Sequence, residues 1–351
     1  MEVSRLILHN FRCYEETEIP LSNGINLIHG TNGAGKTSLL EALYLLSTGR
    51  SFLTSHLTNL IQKDHPHFYV EVHFKRDGVE QMLSIGFDGK NKRIHYNNTL
   101  FQNFSHVLGI LPSVLYSPVD STLITAAPQE RRRFINIQLA QTDPLYVHHL
   151  MRYHKAMKHR NTLLKVKSEA AIESWEQMMG ESARYLMHKR SKLIERLRPK
   201  VEAFARELSN EEDYFDLHYE PSISLKKAEL IEELLAKQRP KELIIGSTLM
   251  GPHRDDLHIT YKKREAKTFA SEGQKRTCIA ALKIAEWEIL KDQTETTPLF
   301  AIDDFGVHLD PKRTEVLQER LNHLGQVFLT SPTSSMGGLH IEKGKLLQKV
   351  S

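Results

Sequence analysis

Eight consecutive residues, Gly30-Thr31-Asn32-Gly33-Ala34-Gly35-Lys36-Thr37, satisfy the pattern G-x-x-x-x-G-K-[ST] at every fixed position. Their types suit one task. The glycines let the backbone curl so that successive N–H groups converge on an anion at the positive end of the helix that follows. Lys36 would reach the β- and γ-phosphates of a nucleoside triphosphate, and the Thr37 hydroxyl would ligate Mg2+. The flanks agree with this reading. Ile25-Asn26-Leu27-Ile28 reads as a short buried strand, and Ser38 to Leu46 carries the apolar stripe of a helix.

Two further groups could do chemistry. The apolar run Leu299-Phe300-Ala301-Ile302 ends in Asp303-Asp304. Beside a phosphate loop, such a strand is expected to adjoin the loop's own strand, with Asp303 holding Mg2+ and Asp304 orienting the attacking water. Ser271-Glu272-Gly273-Gln274 puts a hydroxyl and a glycine amide at a helix start, which makes either a second anion site or an ordinary capped surface helix. Between Lys36 and Asp303 the chain advances 267 positions. A compact phosphate-loop core needs far fewer, so the spacing predicts an insertion.

The pattern of elements supplies that insertion. The first hundred residues are β-rich, with strands expected at Val3–Leu8, His67–Phe74, Met82–Phe87 and Arg93–Tyr96 and a hairpin turn at Asp77-Gly78. Helical periodicity then takes over. Pro144 follows the capping pair Thr142-Asp143, and apolar residues recur through Tyr146, Leu150, Tyr153, Met157 and Leu164. After a break at Lys167-Ser168-Glu169, a second stripe runs from Trp175 to Leu208. Two long helices in this order form an antiparallel hairpin, free as in a coiled coil or packed on a globular domain. The expected division is a split head, residues 1–140 and 241–351, around an inserted helical hairpin at 141–240.

Composition narrows the setting. At 351 residues, 40% hydrophobic and 26% charged, the chain is an ordinary globular protein. It contains no apolar run long enough to span a bilayer and opens without a signal-peptide pattern, so a cytoplasmic place and no membrane partner are expected. Cys13 and Cys278 are expected to be reduced thiols. Residues 131–200 carry sixteen Lys/Arg, among them Arg131-Arg132-Arg133, against six Asp/Glu, whereas 201–242 carry six against eleven. Such a block suits an anionic partner such as nucleic acid, or is the solvated face of charged helices. Arg131, Arg132 and Arg133 would either contact DNA or form an intramolecular cluster. Five histidines along the hairpin lack the carboxylate or thiol partners of a metal site.

These motifs together resemble the RecF family of SMC/ABC-type ATPase heads, almost from end to end. Leu8 to Arg12 resembles the family's opening strand, Gly30 to Ser38 its phosphate loop, and Val114 to Pro118 with Asp120, Pro128 and Arg131 to Phe134 its central block. Gly251-Pro252-His253-Arg254-Asp255-Asp256-Leu257 matches a family hallmark, in which His253 and Arg254 have no assigned role. The resemblance implies an α/β ABC/SMC-type P-loop ATPase head with an inserted antiparallel helical hairpin. It implies that Ser38 and Arg12 join the nucleotide site, and that Ser271, Gly273 and Gln274 are a signature contacting nucleotide on the opposite subunit. Asp310 closes a D-loop. There are departures: Gly306, Val307 and His308 are unusual there, Val119 and Asn136 replace common acids, and Thr330 stands at the switch position. They bear on hydrolysis more than on nucleotide binding.

The expected function is therefore an ATP-dependent DNA-binding repair protein with Mg2+ and slow hydrolysis. By resemblance it would form ATP-dependent homodimers at gaps or junctions of single- and double-stranded DNA. With RecO and RecR it would help load RecA in recombinational repair, replication restart and the SOS response. A nucleotide-gated scaffold that binds ATP but scarcely hydrolyses it is the alternative. The Asp304 form, the Ser-Glu-Gly-Gln signature and the basic hairpin argue against a transporter motor.

Overall fold

A computed structural model describes residues 1–306, 310–332 and 338–350. The chain divides into two compact units. The first comprises residues 1–121, 204–213 and 271–351, and the second 122–203 and 214–270. The second unit is thus wider than the 141–240 hairpin read from the sequence, and the physical reason is a set of ion pairs described below.

The first unit holds two six-stranded sheets. One is antiparallel, built from β1 (Glu2–Phe11), β2 (Tyr14–Pro20), β4 (Phe68–Arg76), β5 (Val79–Phe87), β6 (Lys92–Tyr96) and β7 (Thr99–Phe101) in the order β2-β1-β4-β5-β6-β7. The other contains β3 (Ile25–His29), β8 (Ser113–Tyr116), β12 (Leu299–Ile302), β13 (Val327–Ser331), β14 (Gly338–Glu342) and β15 (Lys345–Val350). Its order is β15-β14-β3-β13-β12-β8, parallel except for the β14–β15 hairpin. β13 therefore lies between the loop strand β3 and the acidic strand β12, which corrects the expectation that those two adjoin. Helix α1 (Lys36–Thr48) touches β4 and β5 of one sheet and β8 and β13 of the other. Leu39, Leu40, Leu43, Leu45 and Leu46 are buried around its circumference, as a helix between two sheets requires. The buried Gln326 amide clamps the sheets further, pairing with both N–H and C=O of Val3 at 2.7 Å. α8 (Glu272–Thr294) and α9 (Pro311–Leu321) complete the unit.

The second unit is mainly helical. It contains α2 (Thr122–Thr125), α3 (Pro128–Ala140), α4 (Pro144–Lys165), α6 (Ile231–Ile245), α7 (Ala266–Phe269) and most of α5 (Ile172–Leu208). A small antiparallel sheet joins them, β9 (Phe215–Glu220), β10 (Asp256–Tyr261) and β11 (Arg264–Glu265). α4 begins where the sequence indicates, with Pro144 in its first turn and the Asp143 carboxylate accepting the Tyr146 N–H. α4 and α5 do run antiparallel. His149 stacks on Tyr185, Arg152 pairs with Glu181, and His159 stacks on Trp175. Yet they are no free coiled coil, because Arg160 of α4 is fully buried against Glu242 of α6 at 2.6 Å and Glu176 of α5 at 2.9 Å.

Glu176 has a second partner in Arg239, at 2.6 Å, whereas Arg160 is the sole cation paired with Glu242 among the described residues. Removing one partner of a buried pair strands the other charge without water. Arg160→Met is expected to lower the unfolding free energy by about 3–5 kcal/mol in urea denaturation, and Glu242→Gln added to it to restore part of the loss. Equal stability of Arg160→Met and wild type would show that water reaches this pair.

Candidate nucleotide site and its basic companion unit

The phosphate loop leaves β3 at Gly30, whose backbone stands at φ 151° with room for no side chain: a Cβ there would come within 2.1 Å of the Ile341 carbonyl oxygen. Gly35 at φ 115° is hemmed in the same way by the Cys13 sulfur and the Tyr14 hydroxyl. These two positions demand glycine because the chain passes close to its neighbours with positive φ. Tyr14 donates to the Gly35 carbonyl at 2.9 Å, and the Gly344 N–H to the Ala34 carbonyl at 2.9 Å, so the loop is held from behind. Lys36 is buried, its ammonium donating to the carbonyls of Gly30 at 2.8 Å and Thr31 at 3.1 Å. No side chain caps the first turn of α1. A cation and unclaimed N–H groups thus meet at one end of a helix, the arrangement that stabilises a polyphosphate. Thr31, Asn32 and Gly33 are exposed on the loop and Ala34 is buried under it.

Thr37 and Asp303 meet directly. The Thr37 hydroxyl donates to both carboxylate oxygens, at 2.9 and 3.2 Å, and Thr330 donates to one of them at 2.8 Å. Burial pushes the Asp303 carboxyl above its ordinary range, opposed by the Thr330 and Thr37 hydroxyls and reinforced by the neighbouring Asp304. A buried carboxylate beside a threonine hydroxyl is an all-oxygen donor set that suits Mg2+. Asp304 follows at φ 57°, its N–H donating to the Thr330 hydroxyl at 2.8 Å, so its side chain is turned away from the strand direction and is partly exposed. Sequence spacing does not pair Thr330 with either aspartate. The only hint in the sequence is a hydroxyl residue ending a strand of the same sheet.

Arg12, also at positive φ, forms a two-point pair with the buried Glu41 of α1 at 2.7 and 2.8 Å. It lines a cleft of about 440 Å³ with Cys13, Gly33, Gly35, Thr37 and Ser38, so it does stand next to the loop. Among the signature residues, Ser271 and Gln274 form a reciprocal capping box at the start of α8, and Ser271 and Gly273 are exposed. Asp310 caps α9 and pairs with Arg313 at 3.1 Å. Arg313 also donates to the Gly273 carbonyl and pairs with Asp213, a hub that sequence spacing could not disclose. Gly306 is exposed at φ 81°, and Val307, His308 and Leu309 lie outside the described residues. Cys13 and Cys278 are free thiols.

The basic residues of α3 are engaged within their own unit. Arg131 forms a two-point pair with Asp256 at 2.7 and 2.8 Å, and Arg132 donates to the Asp255 carbonyl at 2.8 Å. Arg133, partly exposed, faces Glu130. The triplet is thus largely an intramolecular cluster tying α3 to β10, the second of the two alternatives open for it in the sequence. Asn136, where an acid is common, accepts hydrogen bonds from Tyr146 and Arg190. His253 bonds Tyr153 and the Thr248 carbonyl, and burial pushes its imidazole down to about 4. The described residues hold no cluster of three or more metal-ligating side chains, and no helix among them is long and apolar enough to cross a membrane. Charge divides with the fold. The second unit carries twenty-six Lys/Arg against seventeen Asp/Glu, net +9, and the first twenty-one against twenty-six, net −5.

Comparison with known proteins agrees with this architecture. The family described as "RecF/RecN/SMC N terminal domain" matches residues 2–342. The chain is 44% identical over 337 residues to the DNA replication and repair protein RecF of Protochlamydia amoebophila, covering 94% of each. It is 38% identical to the protein of that name from Chlamydia caviae, covering 94% of this chain and 92% of the relative. A solved structure titled as the recombination mediator protein RecF-ATP in the RecFOR pathway superposes with a TM-score of 0.93 at 29% identity, covering 100% and 98% of the two chains. An Smc head from Pyrococcus furiosus, at 16% identity and TM-score 0.54, covering 98% of this chain and 94% of its own, shares the fold.

Asp303 gives a test of the site's electrostatics. Its folded carboxyl titrates above the unfolded value, so the folded state holds its proton more tightly and loses stability as pH rises through the folded pKa. Asp303→Asn removes that cost. The nucleotide-free variant is expected to melt above wild type at pH 7–8, with the gap narrowing as pH falls toward the ordinary aspartate range. A lower melting temperature at pH 8 would mean that the two threonine hydroxyls outweigh burial.

Proposed function

Because the chain belongs to the RecF family, within the wider RecF/RecN/SMC group, we propose that it is an ATP-dependent DNA-binding protein of replication and repair. ATP-driven dimerisation on gapped or junction DNA with slow hydrolysis is the reading, and support of RecA loading with RecO and RecR its setting. One observation carries the nucleotide part: the Thr37 hydroxyl and the Asp303 carboxylate, 266 residues apart, share a hydrogen bond beside the buried Lys36.

In this reading the N–H groups of residues 30–38 and the Lys36 ammonium hold the phosphates, and Arg12 borders the same cleft. Thr37 and Asp303 are the residues that would hold Mg2+, which when bound neutralises charge on the phosphate oxygens. Asp304, displaced from the strand by its positive φ, orients water. Ser271, Gly273 and Gln274 offer an exposed helix start to the nucleotide of a second subunit, so triphosphate joins two surfaces and hydrolysis releases them. DNA would be held mainly through its phosphates by the basic unit, with affinity falling steeply as salt rises. The alternative, a scaffold that binds ATP with scarcely any turnover, draws on Asp310, whose carboxylate is engaged by Arg313 of its own subunit.

Sedimentation on a gapped duplex, with and without ATP and Mg2+, separates the two. Wild type is expected to dimerise on DNA only with ATP, Lys36→Arg to stay monomeric, and Asp304→Asn to hold the dimer while hydrolysis drops roughly 10²-fold or more. ATP-bound dimers with no DNA-stimulated phosphate release would favour the scaffold.

A further inference from the structure

The turn Gly251–Asp256 is built at unusual expense to present one side chain. Pro252 is buried and its carbonyl accepts from Arg190 at 2.6 Å. His253 is held by Tyr153 at 2.7 Å and by the Thr248 carbonyl. Asp255 is buried, taking Arg190 at 2.8 Å on one oxygen, with the Tyr219 hydroxyl, and the Ser222 N–H at 2.9 Å on the other. Asp256 is paired to Arg131. Gly251 stands at φ 123°, where a Cβ would strike the Tyr153 hydroxyl, and its backbone exchanges two hydrogen bonds with Ser222. Every polar side chain of the turn is thus engaged within the unit except Arg254, which is exposed and forms no ion pair among the described residues.

The charges around it do not cancel. Three arginines of α3 and α5 (Arg131, Arg132 and Arg190) meet the two carboxylates of Asp255 and Asp256, and Arg254 makes a fourth cation. Arg131 and Arg190 have a carboxylate each, whereas among the described residues Arg132 has only a backbone carbonyl. Burial pushes the Arg132 guanidinium below the ordinary range, the like charges of Arg190 and Arg254 add to that, and Asp256 and Asp255 oppose it. A buried polar network is costly and adds little net stability, so its use is to fix geometry. A guanidinium fixed in position, with unspent donors and a second unpaired cation nearby, is prepared for an oxyanion. The unit that carries it is the one with net +9.

We propose that Arg254, with Arg132 beside it, contacts a backbone phosphate of nucleic acid. This rests on the DNA-binding reading above and moves the contact from the Arg131–Arg133 triplet as a whole to Arg254 with Arg132. The measurement is the affinity for gapped duplex against salt concentration, with ATP and Mg2+. Arg254→Gln is expected to weaken binding roughly fivefold at 0.1 M salt, equally across sequences, and to make the log–log salt slope shallower by about 0.9. Arg254→Lys is expected to keep the slope and lose part of the affinity, and Lys90→Gln, an exposed lysine of the acidic unit, to change neither. Arg254 being exposed, the melting temperature should stay at the wild-type value. If wild type binds no DNA, the DNA reading itself fails. If wild type binds and Arg254→Gln matches it in affinity and slope, only this assignment is overturned. ATP-driven dimerisation without DNA should survive Arg254→Gln; its loss would overturn the assignment in favour of a contact to nucleotide on the partner subunit.

Discussion

The hydrogen bond from Thr37 to Asp303 is the constraint around which the first unit is arranged. A carboxylate that is only 6% exposed is costly by itself, and the hydroxyls of Thr37 and Thr330 offset that cost from two directions. To bring them together, β3, β13 and β12 must lie in parallel register. Thr330 is opposite Ile28, and Leu329 is opposite Ile302. Parallel neighbours cannot be joined by hairpins, so each needs a long crossover, and one crossover here contains the entire second unit. The free-energy cost of a longer loop grows only with the logarithm of its length, which is why so large an insertion is compatible with a contact this close.

The same constraint explains the tight fit behind the phosphate loop. Gly30 passes against Ile341 of β14, and Ala34 receives the Gly344 N–H from the β14–β15 turn. The final hairpin is therefore a wall of the site. Tyr14 and Cys13, which adjoin Gly344 of that turn, hem in Gly35. The loop keeps its shape through contacts to backbone, and the side chains that would act on a ligand are left to Lys36 and Thr37.

Much of this was legible in the sequence, and the limits of legibility are physical. The loop, α1, the antiparallel strands and the start of α4 come from local signals: a fixed glycine pattern, alternation and a Thr-Asp-Pro cap. Asp303 was readable because an acid after an apolar run has few uses beside a phosphate loop. The position of β13 between β3 and β12 was not, since strand order depends on which edges pair, and periodicity is blind to that. The β14–β15 turn was not legible either, since Lys343 takes positive φ at 48° before Gly344 at 75°, and lysine does not signal such a turn. Thr330, Arg313 and Arg160 were out of reach because their partners lie 27 or more positions away, or on another helix.

The arginine triplet shows why a sequence leaves such alternatives open. Three consecutive cations look alike in a sequence, yet their worth to a ligand depends on what else claims them. Asp256 takes Arg131 from 125 positions away, and the Asp255 carbonyl takes one arm of Arg132 from 123. Those pairs hold α3 against β10, and the second unit takes in residues 122–203 and 214–270 instead of ending with its two long helices. Net charge survives such pairing although individual guanidinium groups do not, and it still attracts an anion at long range. Close recognition needs something different, a cation held in place but not consumed. In this unit the buried arginines do the holding, and Arg254 is the side chain of their turn that they leave free.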